Sequence, residues 1–386
     1  MAFTEIPMLH LSESRSEDSK PAFLRKLRDA LLNVGFLYIK DAGIDQDLYD
    51  RVCEEGIRFF DLPDGEKLRI EMKNKASFLG YSRLGNEITA QQADWREQLD
   101  LSTPHPLRKE SDPLYYNLLS PNQWPKEELL PAFKTTFEQY MRQMSDVSMY
   151  FMTLIAESLE LPADAFETFF DKDQQHKLKV VKYPDSGDGV GQGVGPHKDS
   201  MLTSYLLQAS HHKGLQAQNM KGEWIDCPPI RGTLVVAIGQ GLEALTGGVC
   251  ASTTHRVISP AGGEGARFSI PFFQGVSYDA KFESMDVPDH VRALRKDILE
   301  REGGRRDDVE FTFVKGRWNH LGEATLMNRI KSHPDVGERW YPEQLKQIRR
   351  QQTEEAIAKQ RNSINEISDP TTPSLVGQHG QPIKAH

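Results

Sequence analysis

Between Leu178 and Phe273 the chain breaks into short β-rich runs separated by turn residues, at 179–183, 203–207, 215–218, 233–238, 252–258 and 267–273. Runs this short bury a face only by pairing into facing sheets, so the rhythm predicts a double-stranded β-helix (jelly roll) core over 176–282. The flanking sequence has a different period. Phe23, Leu27, Ala30, Leu31 and Val34 recur at helical spacing until Gly35 breaks the pattern, and 36–39 then read as a strand. A second helix is predicted over 47–60, with Pro63, Asp64 and Gly65 ending it. Residues 64–126, rich in Gly, Pro, Asn and charge, read as loops with a few strands.

From 127 to 161, Phe133, Phe137, Tyr140, Met144, Val147, Phe151 and Leu154 recur at intervals of three and four, which predicts a long helix beneath the sheet. Met141, Met144, Met149 and Met152 in it are assigned to core filling rather than to a ligand box. The expected fold is mainly β with helical additions: an N-terminal helical and loop region (1–126), a supporting helix and connection (127–175), the jelly-roll core (176–282) and C-terminal helices (283–366), forming one catalytic unit. A disordered tail is expected at 367–386.

The core carries a pattern of metal-ligating residues. Strand residues two apart share a face, so His197 and Asp199 can grip one ion from one strand while Lys198 points elsewhere. His255 follows far enough along the chain to return on a neighbouring strand. Two imidazoles and a carboxylate on one face of an octahedron suit ferrous iron and leave positions open for substrate and dioxygen. On the ligands alone a hydrolytic zinc site stays open. Arg267 and Ser269, again two apart, tilt the choice toward iron, because a guanidinium fork and a hydroxyl anchor one end of a dicarboxylic acid whose other end can chelate the metal.

His197-Lys198-Asp199, His255 and Arg267-Phe268-Ser269 resemble, in order and spacing, the iron(II) and 2-oxoglutarate-dependent dioxygenases of the isopenicillin N synthase-like family. Ile6-Pro7, the runs from Gly35 to Ile39 and from Phe59 to Pro63, and Lys182-Tyr183-Pro184 extend the likeness over most of 5–275, with a continuation to about 345. The resemblance implies His197, Asp199 and His255 as iron ligands. It implies Arg267, Ser269 and Tyr183 as the 2-oxoglutarate site, with Fe(II), 2-oxoglutarate and dioxygen as cofactor and co-substrates. The implied reaction couples oxidative decarboxylation of 2-oxoglutarate to hydroxylation, desaturation or a related oxidation of a small organic molecule. Relatives usually carry Thr between the first two ligands and a Gly-Asp turn before the third. Lys198 and Gly239-Gln240-Gly241 depart from this and set the chain in a branch resembling fungal oxygenases of specialised metabolism. Two alternatives remain: a 2-oxoglutarate-independent oxidase similar to isopenicillin N synthase itself, and a non-catalytic binding protein on the same scaffold.

Bulk properties narrow the partners. The balance of 47 Lys and Arg against 56 Asp and Glu gives a net charge of −9, which disfavours nucleic acid. Cys53, Cys227 and Cys250 are too scattered for a disulfide framework or zinc site. Neither a membrane-spanning stretch nor a signal-like start is present, so a cytoplasmic location is expected; oligomeric state is left open. His211, His212, His320 and His333 are read as exposed rather than as ligands. The glycines at 187–195 fit a loop and no phosphate motif. Arg301, Arg305 and Arg306 read as a solvated loop. Trp95 and Arg96 lie where a strand enters the barrel in relatives and are read as packing, with contact to substrate as the alternative; Tyr205, Leu207 and Phe273 are candidate pocket residues.

Overall fold

A computed structural model describes residues 2–89, 92–170, 175–187, 191–281, 284–304 and 320–368. Fourteen strands are formed among them: β1 (Met8–His10), β2 (Phe36–Lys40), β3 (Gly80–Ser82), β4 (Ile88–Thr89), β5 (Gln92–Ala93), β6 (Glu97–Ser102), β7 (Lys177–Tyr183), β8 (Gln192–His197), β9 (Thr203–Gln208), β10 (Leu215–Gln218), β11 (Trp224–Asp226), β12 (Thr233–Ile238), β13 (His255–Ile258) and β14 (Arg267–Phe273). An eight-stranded sheet runs β1-β2-β12-β9-β14-β7-β6-β3, and a four-stranded sheet runs β11-β10-β13-β8. From β7 to β14 the chain keeps crossing between the two sheets, the signature of a double-stranded β-helix. β4 and β5 form a separate hairpin.

Strand alternation sorts the apolar side chains into two layers. Val181 and Tyr183 of β7, Val235 and Ala237 of β12 and Phe36 and Tyr38 of β2 meet Val194, Leu215, Ala217 and Val257 of the smaller sheet. The opposite faces, with Leu178, Val180, Tyr205, Leu207, Ile270 and Phe272, pack on Phe133, Phe137, Tyr140, Met144 and Phe151 of the long helix. Each such fully buried Leu or Phe contributes about 1.5–3 kcal/mol of transfer free energy. The helix spans Phe133–Ser158, shorter at both ends than its periodicity suggests. Pro131 and the turn at 126–130 delay its start, and Leu159 closes its last turn by bonding back to Ile155 and Ala156.

Several expectations are corrected. The run at 252–258 becomes a strand only from His255, and the glycine-rich stretch contains β8 at its end, with 188–190 outside the described residues. Tyr205 and Leu207 face the long helix, leaving Phe273 as the pocket candidate on the inner face. His333 is fully buried rather than exposed, edge-on to Phe78. Arg301 belongs to the helix Asp289–Glu302 and pairs with Glu302, while Arg305 and Arg306 lie outside the described residues. The N-terminal region, with strands expected at 36–39 and within 64–126, supplies β2, β3 and β6 to the larger sheet, and also β1, which was not anticipated. The helix Pro342–Ser368 ends the expected C-terminal helical region and runs two residues into the expected tail, whose remainder from 369 onward lies outside the described residues.

A third cluster joins the C-terminal helices Leu321–Ser332, Pro334–Trp340 and Pro342–Ser368 to the segments around β3 and before the long helix: Leu326, Ile330, Val336, Tyr341 and Leu345 pack on Met72, Phe78, Tyr115 and Leu118. Gly35 makes the turn between the first helix and β2 with φ +64°, and a Cβ there would lie 1.9 Å from the Ala251 carbonyl oxygen. Gly35→Ala is therefore expected to lower stability by about 1–3 kcal/mol, read as a shift of the thermal unfolding midpoint.

Candidate active site

The pairing of β8 with β13 sets His197 directly opposite His255. Residues directly opposed across an antiparallel ladder have close Cβ atoms, and the two imidazole centroids are 4.2 Å apart. The register slips between this pair and Val257↔Val194, a bulge that accommodates Pro196, which has no N–H to give to the ladder. His197 Nδ1 bonds the Gly195 carbonyl at 2.8 Å, and His255 Nδ1 bonds the Thr253 carbonyl at 3.1 Å. A ring nitrogen facing a carbonyl must carry the proton, so both Nε2 atoms are left as lone-pair donors. Burial and the neighbouring His255 hold the His197 pKa down to about 3, keeping its ring neutral. Phe36 packs on the His255 ring, 5.3 Å between centroids.

Asp199 is not on the strand with His197. β8 ends at His197, and Asp199 lies in the turn that follows. It still meets the two rings: its Oδ1 is 3.8 Å from each Nε2, and one donor atom from each of the three residues lies within 4.8 Å of the others. The turn is held from two sides. Ser204 Oγ donates to Asp199 Oδ2, and the Gln240 N–H donates to the Asp199 carbonyl at 2.7 Å. Gly239 abuts the same turn, where a Cβ would lie 1.9 Å from the Met201 carbonyl oxygen. The Gly239-Gln240-Gly241 departure thus sits against the segment that carries the carboxylate.

On the larger sheet Arg267 lies directly opposite Tyr183, its guanidinium carbon 5.1 Å from the ring centroid. Ser269 follows on the same face, and both β14 residues are 1% exposed. Arg267 Nη2 donates to Gln208 Oε1 at 3.2 Å, while Nε and Nη1 are buried without a hydrogen-bond partner. Burial lowers the guanidinium's pKa and the Tyr183 hydroxyl opposes that shift. A buried fork with free N–H groups is a receptor for a carboxylate. The other arrangement fits a divalent metal equally directly: two imidazoles whose Nδ1 atoms are committed to carbonyls, beside one carboxylate held by a hydroxyl.

Sequence reasoning missed Ser204 and Gln208, and the ion pairs of Arg96. Ser204 and Gln208 lie at opposite ends of β9 on its inner face, a relation that the period of two contains but that becomes meaningful only once β9 is known to adjoin β14. The Arg96 side chain, 11% exposed, bonds Glu87 and Asp94 and acts on the Tyr183 hydroxyl. His211, exposed, and His212, half-buried, stack on each other.

Residues 175–276 match the 2OG-Fe(II) oxygenase superfamily, and residues 6–127 match the family described as non-haem dioxygenase in morphine synthesis, N-terminal. The chain is 66% identical to a 2-oxoglutarate-dependent dioxygenase of Dothideomycetidae sp. (strain 11243), over 92% of this chain and 97% of that protein. It is 39% identical to a 2-oxoglutarate-dependent dioxygenase of Gibberella zeae, over 91% and 95%. A full-length Neurospora crassa protein, crystallised in complex with alpha-KG, superposes with a TM-score of 0.61 at 26% identity, covering 72% of this chain and 88% of that one.

The hydroxyl of Ser204 orients Asp199 without touching the other two donors. Ser204→Ala is expected to weaken iron(II) binding by about 10- to 100-fold in an anaerobic titration, with the thermal midpoint nearly unchanged.

Proposed function

Because the chain belongs to the 2-oxoglutarate and iron(II)-dependent oxygenase superfamily, we propose that His197, Asp199 and His255 are its iron ligands and that Arg267, Ser269 and Tyr183 hold its co-substrate. The protein is a non-haem iron(II) enzyme that couples oxidative decarboxylation of 2-oxoglutarate to the oxidation of a small organic molecule. The names of these relatives favour that reading over a 2-oxoglutarate-independent oxidase and over a non-catalytic scaffold. Among the described residues no helix is long and apolar enough to cross a membrane.

One observation carries the assignment of residues: the only cluster of three metal-ligating side chains among the described residues shares the barrel interior with a buried guanidinium whose Nε and Nη1 lack partners. Bound iron(II), with 2-oxoglutarate and dioxygen, supplies the oxidising power, and the co-substrate leaves as succinate and carbon dioxide. The protein's own groups do the positioning. The Gly195 and Thr253 carbonyls fix the tautomers of His197 and His255, and Ser204 fixes the rotamer of Asp199. Gln208 takes one N–H of Arg267 and so leaves the remaining fork to a carboxylate. Tyr183 covers the guanidinium face and keeps water from competing for it. No general base is required of the chain.

His197→Ala, Asp199→Ala and His255→Ala are each expected to abolish iron(II) binding and succinate formation with the fold retained; turnover in any of the three removes that residue from the ligand set. Arg267→Ala loses charge-assisted bonds worth about 1.5–3 kcal/mol each and is expected to raise the half-saturating 2-oxoglutarate concentration roughly ten- to hundredfold or more. Measuring succinate against oxidised substrate checks the coupling, since full substrate oxidation without succinate contradicts it.

A further inference from the structure

The inner face of the larger sheet continues past the co-substrate clamp into a wall of buried polar groups. On β7, Leu178 and Val180 enter the helix-side core while Val181 and Tyr183 enter the core between the sheets, so Lys179 points inward with the latter pair. Across the β6–β7 ladder Gln98 lies opposite Val181 and Asp100 opposite Lys179. Ser269 adjoins Val181 on the other side, which makes Gln98 the second neighbour of the clamp. The wall also reaches the metal-binding strand. The Trp95 N–H donates to the Gln192 carbonyl of β8 at 3.2 Å, and the Arg96 charge acts on His197 itself.

The C-terminal helices complete the wall. Arg329 Nη2 donates to Asp100 Oδ1 at 2.8 Å, and His333 Nε2 stands 3.8 Å from Glu87 Oε1. Most of the charges satisfy one another. Lys179 Nζ donates to both oxygens of Glu87 at 3.0 Å, Arg96 Nη2 donates to Glu87 Oε2 and Asp94 Oδ2 at 2.8 and 3.0 Å, and Gln98 Nε2 donates to Asp100 Oδ2 at 2.9 Å. Four buried atoms are left over: Asp94 Oδ1, Arg96 Nε, Gln98 Oε1 and His333 Nε2. Asp94, Gln98 and His333 are each at most 1% exposed. Buried polar groups are nearly always paired, and a partly satisfied network beside an active centre marks where a ligand supplies the missing partners. Burial and the Arg329 charge hold His333 down to about 3, so its ring is neutral and serves as a hydrogen-bonding group.

We propose that this wall binds the primary substrate, and that the substrate is a small polar molecule presenting both hydrogen-bond donors and acceptors, held by Asp94, Arg96, Gln98 and His333. The proposal rests on the iron and co-substrate assignment above. Asp94 and Gln98 offer acceptor oxygens, Arg96 offers a donor, and His333 offers a ring nitrogen that takes either role according to tautomer. An apolar substrate leaves all four unpaired when it displaces water, so the wall selects against it. His333 comes from beyond the matched family segments, so the C-terminal helices take part in specificity as well as packing.

The test uses the full chain with iron(II) and 2-oxoglutarate and reads succinate release above the substrate-free rate. One set of added compounds is polar: the free amino acids, their amides, nucleobases and nucleosides. The other is apolar: monoterpenes, steroids and unsubstituted flavones. Acceleration confined to polar compounds is expected. Gln98→Met and His333→Phe roughly keep side-chain shape but remove both polar atoms of the side chain. Each is expected to raise the half-saturating concentration of the accelerating compound about tenfold or more, while that of 2-oxoglutarate stays within about twofold. His333→Gln, which keeps a polar atom, is expected to recover part of the loss. Acceleration by the apolar set, acceleration by no polar compound, or unchanged half-saturation in both of these shape-keeping variants overturns the proposal. Failure of the underlying iron assignment reads differently: wild-type protein then binds no iron(II) and releases no succinate under any condition.

Discussion

Strand register is the constraint on which the site depends. A one-residue slip between β8 and β13 would turn His197 or His255 to the opposite face of the smaller sheet and dissolve the triad. The ladder between β7 and β14 does the same for Tyr183 and Arg267. Both registers are pinned by burial rather than by the functional groups. Val194 and Val257 must face inward on one sheet, and Val181 must face inward while Phe272 and Ile270 face the long helix on the other. The apolar pattern therefore positions polar atoms that contribute little to stability themselves.

Within that frame, burial tunes the chemistry. Burial keeps the His197 ring neutral, and the Nδ1 atoms of His197 and His255 are committed to backbone carbonyls, so the Nε2 lone pairs converge. The Arg267 guanidinium is held in an apolar layer where each charge-assisted bond is stronger than at the surface. The balanced network of Glu87, Arg96, Lys179, Asp100 and Arg329 follows a related logic. Arg96 and Lys179 hold the Glu87 carboxyl well below the usual carboxylate range even though burial pulls the other way. Breaking one member would strand its partners as unpaired buried charges, which ties the C-terminal helices to the strands they cover.

Much of the site was legible because its residues obey short-range periodicity. Arg267 and Ser269 share a face as their spacing requires, and β12 and β14 run over the residues that their β-rich composition marks. Asp199 was identified for a reason only partly right. It shares the triad with His197, yet it does so from a turn held by Ser204 and Gln240, not from the strand alternation that suggested the pair. Tyr205 and Leu207 were placed on the wrong face because a β-rich run shows which residues alternate but not which alternate set meets the helix. The polar run from Lys331 to His333 gives no local sign that His333 is buried; only the packing of Ile330, Val336 and Tyr341 against Phe78 encloses it.

The amino-acid sequence alone determined the kind of fold and the inventory of donors, since turn spacing, alternation and residue chemistry are local properties that survive in one dimension. Tertiary structure decided which donors meet. The approach of His255 to His197, of Gln208 to Arg267 and of the C-terminal His333 to Glu87 joins segments far apart in the chain, and their proximity is set by sheet order and register. Those are collective outcomes of burying the two apolar layers, and no single segment encodes them.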